Sequence, residues 1–349
     1  MDPDALPDLD AYDYPLPPER IAQHPPSERD GGRLLALERA GGAVCHARVR
    51  DLPGFVAAGD LLVVNTTRVL PARLRGAKST GGAAEALVLG AAHAQPDHYR
   101  ALLRSAGRQR VGQKLRFVGQ GRTLDAEVVA LEADGVVRLA VAPGADPYAV
   151  GETPLPPYIR RPTAEPADVA RYQTTFARVP GSVAAPTAGL HLSEDLLRAL
   201  EAAGVERAEL VLHVGPGTFR PLDEGALRAG RLHPERFELP EATAQAVART
   251  RARGGRVIAV GTTTTRVLEA CAEGERGVAA RTGETDLFLR PGSCFRVVDA
   301  LLTNFHLPRS SLLLLVAAFA GRDAVLAAYA EAIREGYRFY SYGDAMWIH

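Results

Sequence analysis

Apolar and polar positions along the chain fall into two textures. Between about residues 71 and 150, short β-type runs recur at 72–74, 86–89, 99–103, 114–117, 123–131 and 136–141. Gly, Pro and Asp separate them and no helical period appears, which predicts a small antiparallel sheet or barrel. After residue 154 the spacing lengthens. Residues 193–203 begin on an N-capping Ser, carry acidic residues in the first turn and stop before Gly204, so they predict a helix. Strands are predicted at 60–64, 206–214, 256–260 and 297–302. Further helices are predicted at 240–253, 265–271, 310–320 and 323–335. Strands alternating with helices imply βαβ units. The predicted fold is α/β, a mainly parallel sheet domain flanked by helices, with an inserted antiparallel β-barrel domain. The first would comprise residues 1–71 and 152–349, the second residues 72–151.

Polar turns interrupt this frame just after predicted strands. They are Ala-Ala-Pro-Thr-Ala-Gly-Leu-His (184–191), His-Val-Gly-Pro-Gly-Thr-Phe (213–219), Gly-Thr-Thr-Thr-Thr-Arg (261–266), Thr-Asn-Phe-His-Leu-Pro (303–308) and Tyr-Gly-Asp-Ala-Met (342–346). A connecting loop needs only enough polarity to stay solvated, whereas these also carry His, Thr, Asn, Arg and Asp. In open α/β sheets ligands bind beyond the carboxyl ends of the strands. An enzyme site assembled from many strand ends is therefore expected.

Composition narrows the class. The 349 residues are 46% hydrophobic and 23% charged, with 41 Lys+Arg against 41 Asp+Glu, which fits a globular protein without a general coat of basic charge. Cys45, Cys271 and Cys294 form no Cys-x-x-Cys pair, arguing against a zinc ribbon or redox motif. The acidic, Pro-rich start lacks the features of a signal peptide. The longest apolar run, 312–320, falls short of the ~20 residues that span a bilayer. A cytoplasmic protein with no membrane partner is expected.

The turns carry a resemblance. Gly-Asp-Leu-Leu-Val-Val-Asn-Thr-Thr-Arg-Val (59–69), Pro-Leu-Pro-Pro-Tyr-Ile-Arg-Arg-Pro (154–162), Tyr-Gln-Thr (172–174) and Val-Ala-Ala-Pro-Thr-Ala-Gly-Leu-His (183–191) occur in order. Leu-His-Val-Gly-Pro-Gly-Thr-Phe (212–219), His-Pro-Glu (233–235), Val-Ile-Ala-Val-Gly-Thr-Thr (257–263), Val-Asp-Ala-Leu-Leu-Thr-Asn-Phe-His-Leu-Pro (298–308) and Tyr-Arg-Phe-Tyr-Ser-Tyr-Gly-Asp-Ala-Met (337–346) follow. Together they resemble the S-adenosylmethionine:tRNA ribosyltransferase-isomerases of queuosine biosynthesis. The chain departs from the pattern at Gly230 and at Ala83-Ala84. The resemblance implies an α/β domain with an inserted β-barrel. It also implies transfer and isomerisation of the ribosyl group of S-adenosylmethionine onto a 7-aminomethyl-7-deazaguanine base. That base sits at the wobble position of a tRNA anticodon loop, and the products are epoxyqueuosine-tRNA, adenine and methionine. No metal is required and no cofactor is retained, because S-adenosylmethionine is consumed. We expect a monomer. The rival readings are a catalytically idle tRNA-binding protein of the same fold and a small-molecule enzyme that ignores tRNA.

This chemistry needs a base for the acidic 5′ C–H beside the sulfonium, and protonation of the departing adenine. His191, His213, His233 and His306 are the candidate proton handlers; the plain alternative for each is a loop or core His satisfied by a backbone group. No two have the tight spacing of metal ligands. Glu235 and Asp344 are candidates to hold the cationic sulfonium or aminomethyl group, or else to pair with an Arg or cap a helix. His191→Ala, His233→Ala and Glu235→Ala are each expected to leave the fold intact and to reduce turnover by orders of magnitude. Gly189, Gly215, Gly217 and Gly261 permit close backbone approach. With Thr187, Thr218, Thr262, Thr263, Asn304 and Tyr342 they are the candidate substrate-binding residues. Arg68 and Arg266 are candidates for a carboxylate or phosphate. For RNA, the basic stretches 104–110, 114–116, 160–161 and 249–256 and the aromatics Tyr158, Tyr337, Phe339, Tyr340 and Tyr342 are candidates, against a plain reading as solvated charge and core edge.

Overall fold

The computed structural model describes residues 8–92, 95–161, 163–219, 222 and 224–349, with only the backbone of Thr218, Phe219 and Glu224. Strands β1 (Arg33–Leu37), β2 (Val44–Arg48), β3 (Leu61–Asn65) and β4 (Thr67–Val69) precede the barrel strands. These are β5 (Arg73–Lys78), β6 (Ala83–Ala91), β7 (His98–Ser105), β8 (Lys114–Gly119), β9 (Arg122–Leu131) and β10 (Val136–Val141). Next come α1 (Pro166–Arg171), β11 (Val179–Ser182), α2 (Glu194–Ala202), β12 (Glu206–Leu212), α3 (Glu224–Ala229), β13 (Arg231–Leu239), α4 (Glu241–Ala252), β14 (Val257–Val260) and α5 (Thr262–Ala270). The chain continues through β15 (Ala272–Glu273), β16 (Gly277–Val278), β17 (Arg281–Leu287), β18 (Ala300–Asn304), α6 (Ser311–Ala320), α7 (Arg322–Arg334) and β19 (Ala345–Ile348).

The main sheet runs β17-β13-β12-β3-β14-β18-β19-β1-β2. Its centre, β12-β3-β14-β18, is parallel as expected from the βαβ pattern. The flanks make it mixed: β13 and β17 add antiparallel on one side, and β19 reverses against β18 on the other. β19 then pairs in parallel with β1, so the first and last strands lie side by side. The central strands are buried on both faces, which explains their unbroken apolar runs. Leu61, Val63, Leu210, Leu212, Ala259 and Leu301 belong to one hydrophobic layer, with residues of α4 to α7. Leu62, Val64, Ile258, Val260 and Leu302 belong to the other, with residues of α2.

Several strands have no clear apolar signature. β13 buries Glu235, Phe237 and Leu239 in alternation, but Pro234 and the charged Glu235 break the pattern that would announce a strand. β17 is a polar edge strand and β2 is largely exposed. By contrast the six barrel strands coincide with the six predicted runs and close as β10-β7-β6-β5-β8-β9, around a core that includes Leu74, Val88, Leu103, Phe117, Val128 and Leu139.

The insertion leaves and rejoins the sheet domain at one crossing. Arg73 and Glu152 exchange backbone hydrogen bonds there (3.2 and 2.9 Å). A Cβ added to Gly151 would lie 1.6 Å from the carbonyl oxygen of Pro71, so only glycine lets the two strands pass. Gly151→Ala is expected to destabilise the protein by about 1–3 kcal/mol through backbone displacement; an unchanged thermal melt would show that the crossing relaxes freely.

Candidate functional site

The predicted turns gather at one edge of the sheet, at the carboxyl ends of β12, β3, β14 and β18. β19 is antiparallel to β18, so the turn before it, 340–344, reaches the same edge. Asn65 ends β3 and joins three of these ends. Its Nδ2 donates to the Leu212 carbonyl (3.0 Å) and to Thr263 Oγ1 (3.2 Å), and its Oδ1 accepts from the N–H of Leu212 (3.0 Å) and Thr67 (3.1 Å). Sequence reasoning did not single it out, although an Asn closing a strand of Leu and Val is a visible signal. Gly261, with φ +88°, caps the start of α5 in a conformation that favours glycine. Thr262 is buried beside it.

On the β18 side, Asn304 organises His191 and Thr187. Asn304 Oδ1 accepts from Thr187 Oγ1 (2.9 Å), while Nδ2 donates to the Tyr340 carbonyl (3.2 Å) and to His191 Nε2 (2.9 Å). The Tyr340 carbonyl can only accept, which fixes the amide orientation. His191 Nε2 is therefore an acceptor and Nδ1 carries the proton. Burial, and secondarily the charge of Arg338, push the His191 pKa down to about 4, so the ring is neutral at physiological pH. Gly189, in the same turn, leaves no room for a Cβ, which would fall 2.8 Å from both Phe176 and Thr174.

His213 heads a second chain of contacts, beside β12. Thr67 Oγ1 lies 2.8 Å from His213 Nδ1 and 2.8 Å from Ser182 Oγ, which accepts the Val214 N–H (2.8 Å). Burial, then the charge of Arg236, lowers the His213 pKa. Adjacent strands are ~4.8 Å apart, so with two strands between β12 and β18 the two histidines stand at opposite ends of an edge roughly 14 Å long.

Glu235 and Arg266 turn out to be each other's partner. Glu235 Oε2 accepts from Arg266 Nη1 and Oε1 accepts the Gly215 N–H (2.8 Å). Arg266 also donates to the carbonyls of Leu287 and Thr285. Both side chains are 7% exposed. The pair ties β13 to α5 and to the 213–217 turn, which is the Arg-pairing alternative that the sequence left open for Glu235. His233 is exposed and packs on that turn, 3.0 Å from a Cβ placed on Gly217. The side chain of Thr218 lies outside the described residues.

Other candidates are held by the fold. His306 is buried, its Nε2 on Thr303 Oγ1 (2.8 Å), its backbone N–H donating to Tyr329 and its carbonyl accepting from Tyr14; burial pushes its pKa down to about 3. Asp344 accepts the N–H groups of Arg33 (2.9 Å) and Arg338 (2.7 Å), so it fastens the turn instead of offering a free carboxylate. Tyr342 donates to Asp168, which Arg161 holds with two hydrogen bonds. Tyr337, Phe339, Tyr340 and Tyr342 are buried, so the expectation of base stacking fails for them; Tyr158 alone of the five is partly exposed. The basic run 249–256 is used in ion pairs to Glu206, Asp299 and Asp60. Arg68, Arg104, Arg108, Arg110 and Arg160 are exposed. Among the described residues no cluster of His, Cys, Asp and Glu could hold a metal, and no single helix is long and apolar enough to cross a membrane. Cys45 and Cys294 are exposed and Cys271 is buried.

Two cavities adjoin this edge. A narrow cleft of only about 10 Å³ lies against His191, lined by Pro26, Arg29, Arg171, Ser341 and Tyr342. The next residues along the chain, Ile21, Gln23 and His24, help to line a wider depression of about 470 Å³, with Tyr158 and Arg160.

The family model described as queuosine biosynthesis protein matches residues 9–348. The S-adenosylmethionine:tRNA ribosyltransferase-isomerase of Pelobacter propionicus is 50% identical, covering 97% of this chain and 98% of its own. That of Thermus thermophilus is 51% identical over 97% of this chain and 99% of its own. The crystal structure of an S-adenosylmethionine tRNA ribosyltransferase from Thermotoga maritima superposes with a TM-score of 0.56 at 36% identity, covering 97% of this chain and all of that one.

The Glu235–Arg266 clamp makes a stability prediction. Glu235→Ala leaves a buried guanidinium without its counter-ion, at an expected cost of roughly 3–5 kcal/mol in urea denaturation. Wild-type stability in that variant would show that the carboxylate is not a structural clamp.

Proposed function

The chain belongs to the queuosine biosynthesis family, as a S-adenosylmethionine:tRNA ribosyltransferase-isomerase, and from that premise we propose how its strand-end site serves the reaction. Relatives about 50% identical over 97% of the chain carry the activity. In this reading the acceptor is 7-aminomethyl-7-deazaguanine at the wobble position of a tRNA anticodon loop. S-adenosylmethionine is a consumed substrate and no cofactor is retained. Adenine and methionine leave, and epoxyqueuosine-tRNA is the product. The enzyme works as a monomer in the cytoplasm.

S-adenosylmethionine lies along the edge from β12 to β18. Its positive sulfur acidifies the neighbouring 5′ C–H, and the base that removes this proton must be neutral before it acts. His213 suits that role: it is half-buried, its depressed pKa keeps it unprotonated at neutral pH, and Thr67 with Ser182 orients its ring. In the working tautomer Nδ1–H donates to Thr67 and leaves Nε2 free to accept. His191 suits a different role. Its Nε2 is occupied by Asn304, so it offers Nδ1–H as a hydrogen-bond donor for a group that gains negative charge, such as the departing adenine. Gly32 leaves the space before Nδ1 open: a Cβ there would lie 3.8 Å from Nδ1 and 3.4 Å from Asp344 Oδ1. The tRNA approaches over the wider depression, where Tyr158 offers a ring face and Arg160 a cation without an ion pair among the described residues. Arg104, Arg108 and Arg110 offer further exposed cations on the barrel.

Adenine release from S-adenosylmethionine tests the activity, using tRNA that carries the aminomethyl base, unmodified tRNA and the free base in parallel. Release only with the modified tRNA, with the matching gain of mass, is expected; tRNA binding without release would indicate an idle binder. His213→Ala should lower turnover about 10²–10⁴-fold with an unchanged melt. Because His213 titrates below an ordinary imidazole, the neutral base persists to lower pH, and the acid limb of kcat/KM should fall below ~6.5. A limb at or above that value, or near-normal turnover in the Ala variant, assigns the proton transfer to another group.

A further inference from the structure

Positive charge gathers in the narrow cleft against His191 without a matching acid. Arg29 donates to the carbonyls of Leu190 (3.4 Å) and Ala170 (2.7 Å), and Arg171 to those of Ser27 (2.8 Å) and Pro26 (2.6 Å). These partners are dipoles, and neither guanidinium forms an ion pair among the described residues. The nearby acids are committed elsewhere: Asp168 to Arg161, Tyr342 and the Glu165 N–H, and Asp344 to two backbone N–H groups. Burial first, then repulsion by Arg171, holds the Arg29 pKa below its ordinary value. A third cation, Arg338, acts on His191. Nε of Arg171 is buried with no hydrogen-bond partner. Each guanidinium has five N–H donors and spends two on carbonyls, so donors remain after the chain has been stapled.

Half-buried like charges are costly unless an anion lies among them. We propose that the cleft formed by Arg29 and Arg171 beside His191 is an anion site that receives a carboxylate or phosphate group of a substrate. The inference rests on the reading of this edge as the reaction site, where two substrates supply such a group: the methionyl carboxylate of S-adenosylmethionine and the backbone phosphate of tRNA.

The test compares the wild type with Arg29→Gln and the charge-keeping Arg29→Lys. At millimolar concentration, below the range in which sulfate stabilises any folded protein by exclusion from its surface, sodium sulfate should raise the wild-type melting temperature more than sodium chloride of equal ionic strength, and this excess should vanish in Arg29→Gln. Calorimetry with S-adenosylmethionine and with its decarboxylated analogue, and filter binding of tRNA across a salt series, identify the source of the anion. If it is the carboxylate, Arg29→Gln weakens S-adenosylmethionine at least about tenfold and leaves the analogue and the tRNA unchanged. If it is a phosphate, tRNA binding weakens about tenfold with a salt slope smaller by roughly 0.7–0.9, and S-adenosylmethionine is unaffected. A folded Arg29→Gln that binds both substrates as the wild type does overturns the proposal. So does a wild type without that excess, a result that decides even if Arg29→Gln does not fold; where the wild type shows the excess, Arg29→Lys should keep it. Absence of adenine release by the wild type would sink the proposed activity, yet the sulfate and ligand comparisons would remain readable.

Discussion

The side-chain amide of Asn65 is the interaction on which the arrangement of the site depends. The central strands are buried on both faces, so polar chemistry is excluded from their length and confined to their ends. At those ends a buried donor or acceptor left without a partner costs ~1–3 kcal/mol, and the amide meets the requirement by bonding four groups at once. It thereby holds the end of β3 to the end of β12 and to the first turn of α5. Asn304 repeats the device one strand beyond β14, joining Thr187, His191 and the Tyr340 carbonyl. Two asparagines, each presenting donor and acceptor in fixed geometry, convert a row of strand ends into a site with defined tautomers.

Burial then sorts the histidines by what they can do. All three that lie under the surface titrate low, because a charged imidazole in a dry setting lacks the solvation it has in water. A neutral ring can accept or donate, and its partner decides which: Asn304 makes His191 a donor, whereas the Thr67 hydroxyl leaves His213 able to serve as a base. His306, enclosed by Thr303, Tyr14 and Tyr329, is occupied in holding its turn. The same sorting applies to the acids. Glu235 and Asp344 spend their oxygens on Arg266 and on backbone N–H groups, so the edge presents more free positive than negative charge.

Most elements were legible in the chain. The six barrel strands, the helices α2, α4, α6 and α7, and the central strands each carry a local apolar period or a capping residue that announces them. β13 was not legible, because the residue it buries between apolar neighbours is Glu235, whose burial depends on Arg266 some 31 residues away in sequence. The aromatic residues 337–342 read as candidate stacking surfaces, and the fold instead packs Phe339 with Tyr14, Phe305 and Tyr329, Tyr337 with Phe305, Tyr340 with Tyr158 and Tyr342 with Tyr172. Local sequence does not say whether an aromatic ring faces water or another ring.

The sequence by itself determined the fold class, the inserted barrel and the polar turns at the strand ends. Those features follow from short-range periodicity and from residue types placed at strand ends. Only the tertiary structure decided which polar residues are free to meet a substrate. A side chain's role depends on the partners that distant segments bring within hydrogen-bond reach. Thus Glu235 is spent on Arg266, His191 is set by Asn304, and Arg29 and Arg171, unremarkable in the sequence, line one cleft beside His191 without an ion pair among the described residues.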